Sequence, residues 1–222
     1  MVQLSAGIAQ VEKESKISLS IVEKVLNNGR FSPRREIKIK EEAMVGVVNG
    51  LAVFGANMGT LLEIEAAALP VAKGQGNWTV TGVVDEEQVG GQERQFRRKS
   101  MARGAVENVL TVLRSIYDLE IGDYNIHLNF PGGIPVDGPS AGISMATAIY
   151  SSITGKVVDN LLAMTGEISV YGKVKPVGGV IAKIEAARRA GVQKVIIPAE
   201  NWLNIFDDFP DLKVIPVRDL DE

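Results

Sequence analysis

The sequence predicts a mixed α+β domain, a sheet with a layer of helices packed on it, and three observations carry that prediction. Tyr124-Asn-Ile-His-Leu-Asn-Phe130 sets Ile126, Leu128 and Phe130 on one face at period two, as a half-buried strand does. Ala102, Ala105, Val106, Val109, Leu113 and Ile116 form one stripe at helical period. Strand-like runs fill the first half of the chain and mix with helical ones in the second, which is the order of a two-layer α/β or α+β domain.

Composition bounds what such a domain does. At 222 residues the chain can bury a core as one large domain, or as one domain with a small appendage. A net charge of −3 argues against a general nucleic-acid or anionic-membrane binder. No cysteine is present, which removes disulfides, thiolate metal sites and thiol nucleophiles together and fits a reducing compartment. His127 is the single histidine, so a histidine metal cluster is excluded, and no G-x-x-x-x-G-K-S/T run is there to cradle a nucleotide. No apolar run reaches the length of a membrane span, and Glu12, Lys13 and Glu14 stand where a signal peptide would be apolar. A cytoplasmic protein is expected, with no membrane segment, metal or cofactor in this chain.

Along the chain, Ser20-Ile-Val-Glu23 has capping-box spacing, Ile21, Val22, Val25 and Leu26 make an apolar stripe, and Gly29 is a plausible stop, so a short helix is expected. Ser32 to Glu42 reads as a charged linker and sets a boundary near residue 42, although a tail packed on the main domain fits as well. Val45–Phe54 and Leu61–Leu69 read as strands joined by Gly55-Ala-Asn-Met-Gly59, and Trp78–Val84 as a third. Glu63 and Glu65 share one face of the second strand and read as solvated edge carboxylates. Gly90–Lys99, with four basic side chains, reads as a solvated loop leading into the helix of the Ala102 stripe. Ala141–Tyr150 is small and apolar on nearly every side, as a buried helix is. Leu161–Val177 reads as a hairpin turning near Tyr171-Gly172, Gly178–Gly191 as a helix, and Lys194–Pro198 and Leu212–Val217 as short strands.

Chemistry concentrates where the Tyr124 strand gives way to the Ala141 helix, at Pro131-Gly-Gly-Ile-Pro-Val-Asp-Gly-Pro-Ser-Ala-Gly142. Pro139 suits a first helical position, so Ser140 sits where free N–H groups and the helix dipole would stabilise an oxyanion. An N-cap serine and turn-forming glycines are the plainer account of the same residues. Gly138-Pro-Ser-Ala-Gly142 also satisfies the nucleophile-elbow pattern G-x-S-x-G, but that arrangement needs its acid and then its histidine downstream, and His127 lies upstream. A His127–Asp137–Ser140 triad is conceivable, although strand alternation turns His127 away from Ile126 and Leu128. The remaining base is a lysine kept neutral by burial. Lys183 is the candidate, among Ile181, Ala182, Ile184, Ala186 and Ala187, against the ordinary alternative of a solvated helix lysine.

Taken together, Asp137-Gly-Pro-Ser-Ala-Gly142, Ala163-Met-Thr-Gly-Glu-Ile168, Gly172-Lys-Val-Lys-Pro-Val-Gly-Gly179, Lys183 and Lys194-Val-Ile-Ile-Pro198, in this order, closely resemble the proteolytic domain of Lon proteases. Val48–Gly55 and Phe130–Asp137 look most like the LonB branch, and the likeness spans roughly residues 45 to 218. It implies the Lon proteolytic fold, itself similar to the ribosomal protein S5 domain 2-like superfamily, and a Ser–Lys dyad with Ser140 as nucleophile and Lys183 as general base, then general acid. It also implies that Thr165 hydrogen-bonds the lysine amine and that Asp137 lies close to the dyad, while Gly138 and Pro139 shape the approach to the serine. An ordinary strand threonine and an Asx turn are the plainer readings of Thr165 and Asp137.

The resemblance further implies an AAA+ ATPase module with its ATP and Mg, assembly as a homohexameric ring, and unfolded protein or peptide substrates. Residues 1–42 look like the tail of that module plus a linker, which leaves 43–222 as the serine protease domain of a longer polypeptide. Two other readings stay open: a catalytically occluded domain that serves ring assembly, and a GHMP-type small-molecule kinase using the Ser140 turn for phosphate.

Overall fold

The structure, a computed structural model, describes residues 16–27, 38–54, 58–83, 86–89, 96–132 and 138–222. The chain divides into two compact units, 1–36 and 37–222. In the first, helix α1 runs Leu19–Asn27. The Ser18 hydroxyl accepts the Ile21 N–H at 3.4 Å, so Ser18 and not Ser20 meets the helix opening, and Gly29 lies outside the described residues.

The second unit is built on a seven-stranded sheet. Its strands are β1 (Val47–Phe54), β2 (Met58–Pro70), β3 (Trp78–Thr81), β6 (Tyr124–Asn129), β7 (Leu162–Met164), β10 (Lys194–Pro198) and β11 (Lys213–Val217). Across the sheet they run in the order β11-β10-β7-β1-β2-β6-β3. β1 and β2 form an antiparallel hairpin with Val48 opposite Ile64, and β2 pairs antiparallel with β6. The remaining neighbours are parallel. Three helices cover the sheet: α2 (Met101–Ser115), α3 (Gly142–Thr154) and α4 (Val180–Ala190).

Successive strand residues point to opposite faces, and the core divides accordingly. Val48, Leu62, Ile64, Ile126 and Leu128 pack with Val109, Leu113, Met145 and Ile149 of α2 and α3. Leu51, Leu61, Ala163, Val195 and Ile197 pack with Ile184, Ala187 and Ala190 of α4. Each large apolar side chain so buried contributes about 1.5–3 kcal/mol. The sheet and the α2–α3 layer are therefore backed on the second face by α4. Ile116 does not belong to the core stripe; it caps α2 and is 43 % exposed, while Leu110 and Val112 are buried.

Three sequence expectations change at this level. Leu161–Val177 is not one hairpin: Leu162–Met164 joins the main sheet between β1 and β10, and only β8 (Glu167–Ile168) and β9 (Val174–Lys175) pair as a hairpin around the Tyr171-Gly172 turn. Ala163 and Met164 are buried in opposite cores, which is why this segment reads as continuously apolar, as interior parallel strands do. Within the basic run, Phe96–Lys99 is a strand, β5, paired antiparallel with β4 (Glu86–Val89). Glu63 and Glu65 lie on an interior strand, where Lys40 Nζ reaches them at 3.0 and 3.7 Å. Asn129 Nδ2 also donates to Glu65 at 2.9 Å, and that bond is the first cause holding the Glu65 carboxyl below its ordinary range, with Lys40 adding to it.

Candidate active site

The site forms where β6 hands the chain to α3. Gly138 has φ 117° and ψ 154°, a conformation that only glycine adopts without strain, and it turns the backbone into a 3-10 turn, Pro139–Ala141, that runs straight into α3. Ser140 is half-buried at that opening. Its carbonyl accepts the Gly166 N–H at 2.8 Å and the Thr165 hydroxyl at 3.1 Å. The Ile143 N–H in turn donates to the Gly166 carbonyl at 3.1 Å. The start of α3 is thus stitched to the segment leaving β7.

Lys183 approaches from the other face of the sheet, in the first turn of α4. It is 1 % exposed. Its Nζ donates to Thr165 Oγ1 at 3.0 Å. Burial alone pushes its amine down from the ordinary 10.5 to about 8. Thr165, itself buried and tied through its N–H to the Ile196 carbonyl at 3.0 Å, has one hydroxyl proton. That proton goes to the Ser140 carbonyl, so the oxygen is an acceptor toward Lys183. Thr165 is the hinge piece between the helix that carries the serine and the helix that carries the lysine.

The side chains that dehydrate Lys183 are only partly those expected. Ala182, Ile184, Ala186 and Ala187 are buried, but Ile181 is 49 % exposed on the outer side of α4. Strand β2 closes over the first turn of α4 instead: a Cβ at Gly59 would sit 1.9 Å from the Ala182 carbonyl oxygen and 3.0 Å from the Lys183 nitrogen. In the sequence Gly59 reads as a turn glycine, and only this close approach gives its reason. Asp137 lies outside the described residues. His127 is exposed on β6 with its Nε2 3.0 Å from Thr81 Oγ1; Thr81 gives its own proton to Asn129 Oδ1 at 2.7 Å, so His127 Nε2 donates. Beside α4 a surface cavity of about 570 Å³, lined in part by Ile181, Glu185, Glu200 and Leu203, includes none of Ser140, Thr165 and Lys183.

This fold, with a serine at a helix opening whose carbonyl is joined through a threonine hydroxyl to a buried amine of lowered pKa, has the features of a serine peptidase domain, and comparison with known proteins agrees. Residues 16–222 match the family model of the Lon protease (S16) C-terminal proteolytic domain. The chain belongs to that family. It is 50 % identical over 222 residues to Lon protease 2 of Bacillus subtilis, covering all of this chain and 40 % of that one. It is 38 % identical over 223 residues to the archaeal Lon protease of Archaeoglobus fulgidus, covering 97 % of this chain and 33 % of the relative. A Lon protease of Syntrophomonas wolfei is 38 % identical over 200 residues, 86 % of this chain and 22 % of its own. The chain therefore spans two fifths or less of the length of these relatives. Among the described residues no helix is long and apolar enough to cross a membrane, and no group of histidine, aspartate and glutamate side chains could hold a metal ion.

Proposed function

We propose that this chain is the peptide-bond-hydrolysing part of a longer, ATP-dependent Lon protease of the LonB branch, working through a Ser140–Lys183 dyad. The observation that carries the reading is the Lys183 amine, buried, lowered to about 8 and held by Thr165 at 3.0 Å. At pH 7 about a tenth of such amines are neutral, against about one in three thousand at the ordinary value. Neutral Lys183 Nζ takes the Ser140 Oγ proton as the oxygen attacks the scissile carbonyl carbon. Thr165, accepting one N–H of that amine, turns its lone pair away from itself and toward the serine. The negative oxygen of the tetrahedral intermediate meets main-chain N–H groups around Ser140. As the C–N bond breaks, the Lys183 ammonium gives its proton to the departing amine. Water then attacks the acyl-serine ester as Lys183 takes its proton, and the Lys183 ammonium returns a proton to Ser140 Oγ as the acyl C–O bond breaks, which restores both residues.

Asp137, three residues before the serine, restrains the dyad in this reading. The substrates are unfolded proteins and flexible peptides, and an ATPase module outside this chain, with ATP and Mg, unfolds them within a hexameric ring. Intact mass after incubation with a peptidyl boronate tests the dyad. The unsubstituted chain forms an adduct and cleaves an unstructured peptide, Ser140→Ala does neither at an unchanged melting temperature, and Lys183→Arg is as inactive as Lys183→Ala because a guanidinium does not deprotonate. Cleavage that survives Ser140→Ala removes Ser140 from the mechanism. Appreciable activity in Lys183→Arg removes Lys183 as base.

A further inference from the structure

We infer that Ser144, one helical turn beyond Ser140, is a positioning residue for the dyad, because its hydroxyl leaves the Ser140 carbonyl to Thr165 and instead pins α3 to the end of β7. The inference rests on the peptidase reading of Ser140 and Lys183. Ser144 is fully buried, and its hydroxyl donates to the Met164 carbonyl at 3.0 Å. A serine inside a helix ordinarily back-bonds to the carbonyl four residues earlier. Other hydroxyls of α3 do this or nearly so: Thr147 donates to Ile143 at 2.8 Å, Thr154 to Tyr150 at 2.8 Å, and Ser152 to Ile149 at 2.8 Å. Ser151 departs as Ser144 does, donating to Lys156 while accepting the Gly46 N–H.

For Ser144 the carbonyl four residues earlier belongs to Ser140. That oxygen has two lone pairs, and the Gly166 N–H and the Thr165 hydroxyl already approach it. A back-bonded Ser144 would compete with Thr165 for the same acceptor. Thr165 would then lose the bond that commits its only proton, and with it the obligation to face Lys183 as an acceptor. Donating to Met164 removes the competitor and adds a direct tie one residue before Thr165. Four hydrogen bonds now join residues 140–144 to residues 164–166, two of them between main chains, one from Thr165 and one from the Ser144 side chain, while Thr147 further along α3 reaches the Met164 sulfur at 3.4 Å.

Four variants measured for cleavage of an unstructured peptide test this. Ser144→Ala lowers kcat about ten- to a hundredfold with KM within a factor of about two, since the acyl-forming geometry loosens while the substrate surface is untouched. Thr165→Val lowers kcat as well, and the Ser144→Ala/Thr165→Val double variant is no slower than Thr165→Val beyond a factor of about two to three, because both act through one bond network. Thr154→Ala, which removes a back-bonded hydroxyl from the far end of the same helix, leaves kcat unchanged. An unchanged kcat in Ser144→Ala, or losses that multiply in the double variant, overturns the inference and reduces Ser144 to a packing role. Cleavage that persists in Ser140→Ala, run alongside, strikes the peptidase reading instead, whereas Ser140-dependent cleavage indifferent to Ser144 overturns this inference alone.

Discussion

An amine buried as completely as that of Lys183 opposes folding wherever it must carry its proton. Its value falls from 10.5 to about 8 on burial, so between those two values the unfolded chain binds the extra proton and stability rises with pH. Below pH 8 both states are protonated and the folded one bears the whole cost, on the order of 3 kcal/mol. Lys183→Met, which keeps most of the length of the side chain and drops the charge, therefore raises the melting temperature at pH 7 by several degrees. Most of that gain disappears at pH 10, where the native lysine is already neutral; a gain of equal size at both pH values contradicts burial of the charge as its cause. At this scale the order of the motifs brought Ser140, Thr165 and Lys183 to notice, because short runs around each are distinctive in the sequence. The role of Ser144 was not legible, since a buried helix serine looks the same whichever carbonyl it bonds. Nor was the exposure of Ile181, because periodicity does not say how far a helix is rotated against a sheet it meets only in three dimensions.

Elements place these side chains by close approach, and the same substitution has opposite signs in two helices. Gly104, exposed in the middle of α2, has no atom within 4 Å of where an added methyl would sit, so Gly104→Ala stabilises the chain by about 0.5–1 kcal/mol through helix propensity alone. Gly142, the first residue of α3, has a helical φ of −53°, but a Cβ there would lie 2.8 Å from the Ile168 nitrogen and 3.1 Å from the Gly166 carbonyl oxygen. Gly142→Ala must push α3 away from the segment that Ser140 and Ile143 bond, at a net cost of about 1–3 kcal/mol. Thermal unfolding of the two variants checks the pair, and stabilisation by both would mean that α3 does not approach β8 this closely. The strands β1, β2, β6, β10 and β11 and all three helices of the second unit were legible from period and stop signals. β7 was absorbed into a hairpin because three apolar residues covered on both faces carry no alternation. β5 was missed because a basic run beside glycines has the composition of a loop, and its partner β4 because Glu86-Glu-Gln-Val89 carries no alternation; pairing, not composition, makes them a ribbon.

For the whole molecule, strand order and the second-face position of α4 were beyond the sequence, which contains the strands but not the partners they select. Segment 38–41 is part of that unread architecture. The charged composition of this stretch reads as a linker, yet Asn160 Nδ2 donates to the Lys40 and Glu41 carbonyls at 2.8 and 3.1 Å, and the Asn160 carbonyl is itself held by Asn49 Nδ2 at 2.9 Å. Ile39 donates its N–H to the Ala190 carbonyl at 3.4 Å and packs at the end of α4, while Lys40 bridges Glu63 and Glu65. The segment therefore ties the far end of α4, the helix of Lys183, to β1, β2 and the approach to β7. Two chains separate such a tie from a solvated linker, one beginning at Ile37 and one beginning at Ala43. The second loses three hydrogen bonds, two worth about 1 kcal/mol each and the third, at 3.4 Å, less, and the part-burial of one isoleucine, while the exposed ion pairs add little. A loss of about 2–3 kcal/mol corresponds to a melting temperature lower by roughly 4–12 °C in a domain of this size. Equal melting temperatures would show that 38–42 rests on the second unit without supporting it. A lower one, with proton-exchange protection lost first at the Gly191 end of α4, would show that the stretch read as a linker belongs to the fold that holds Lys183 in place.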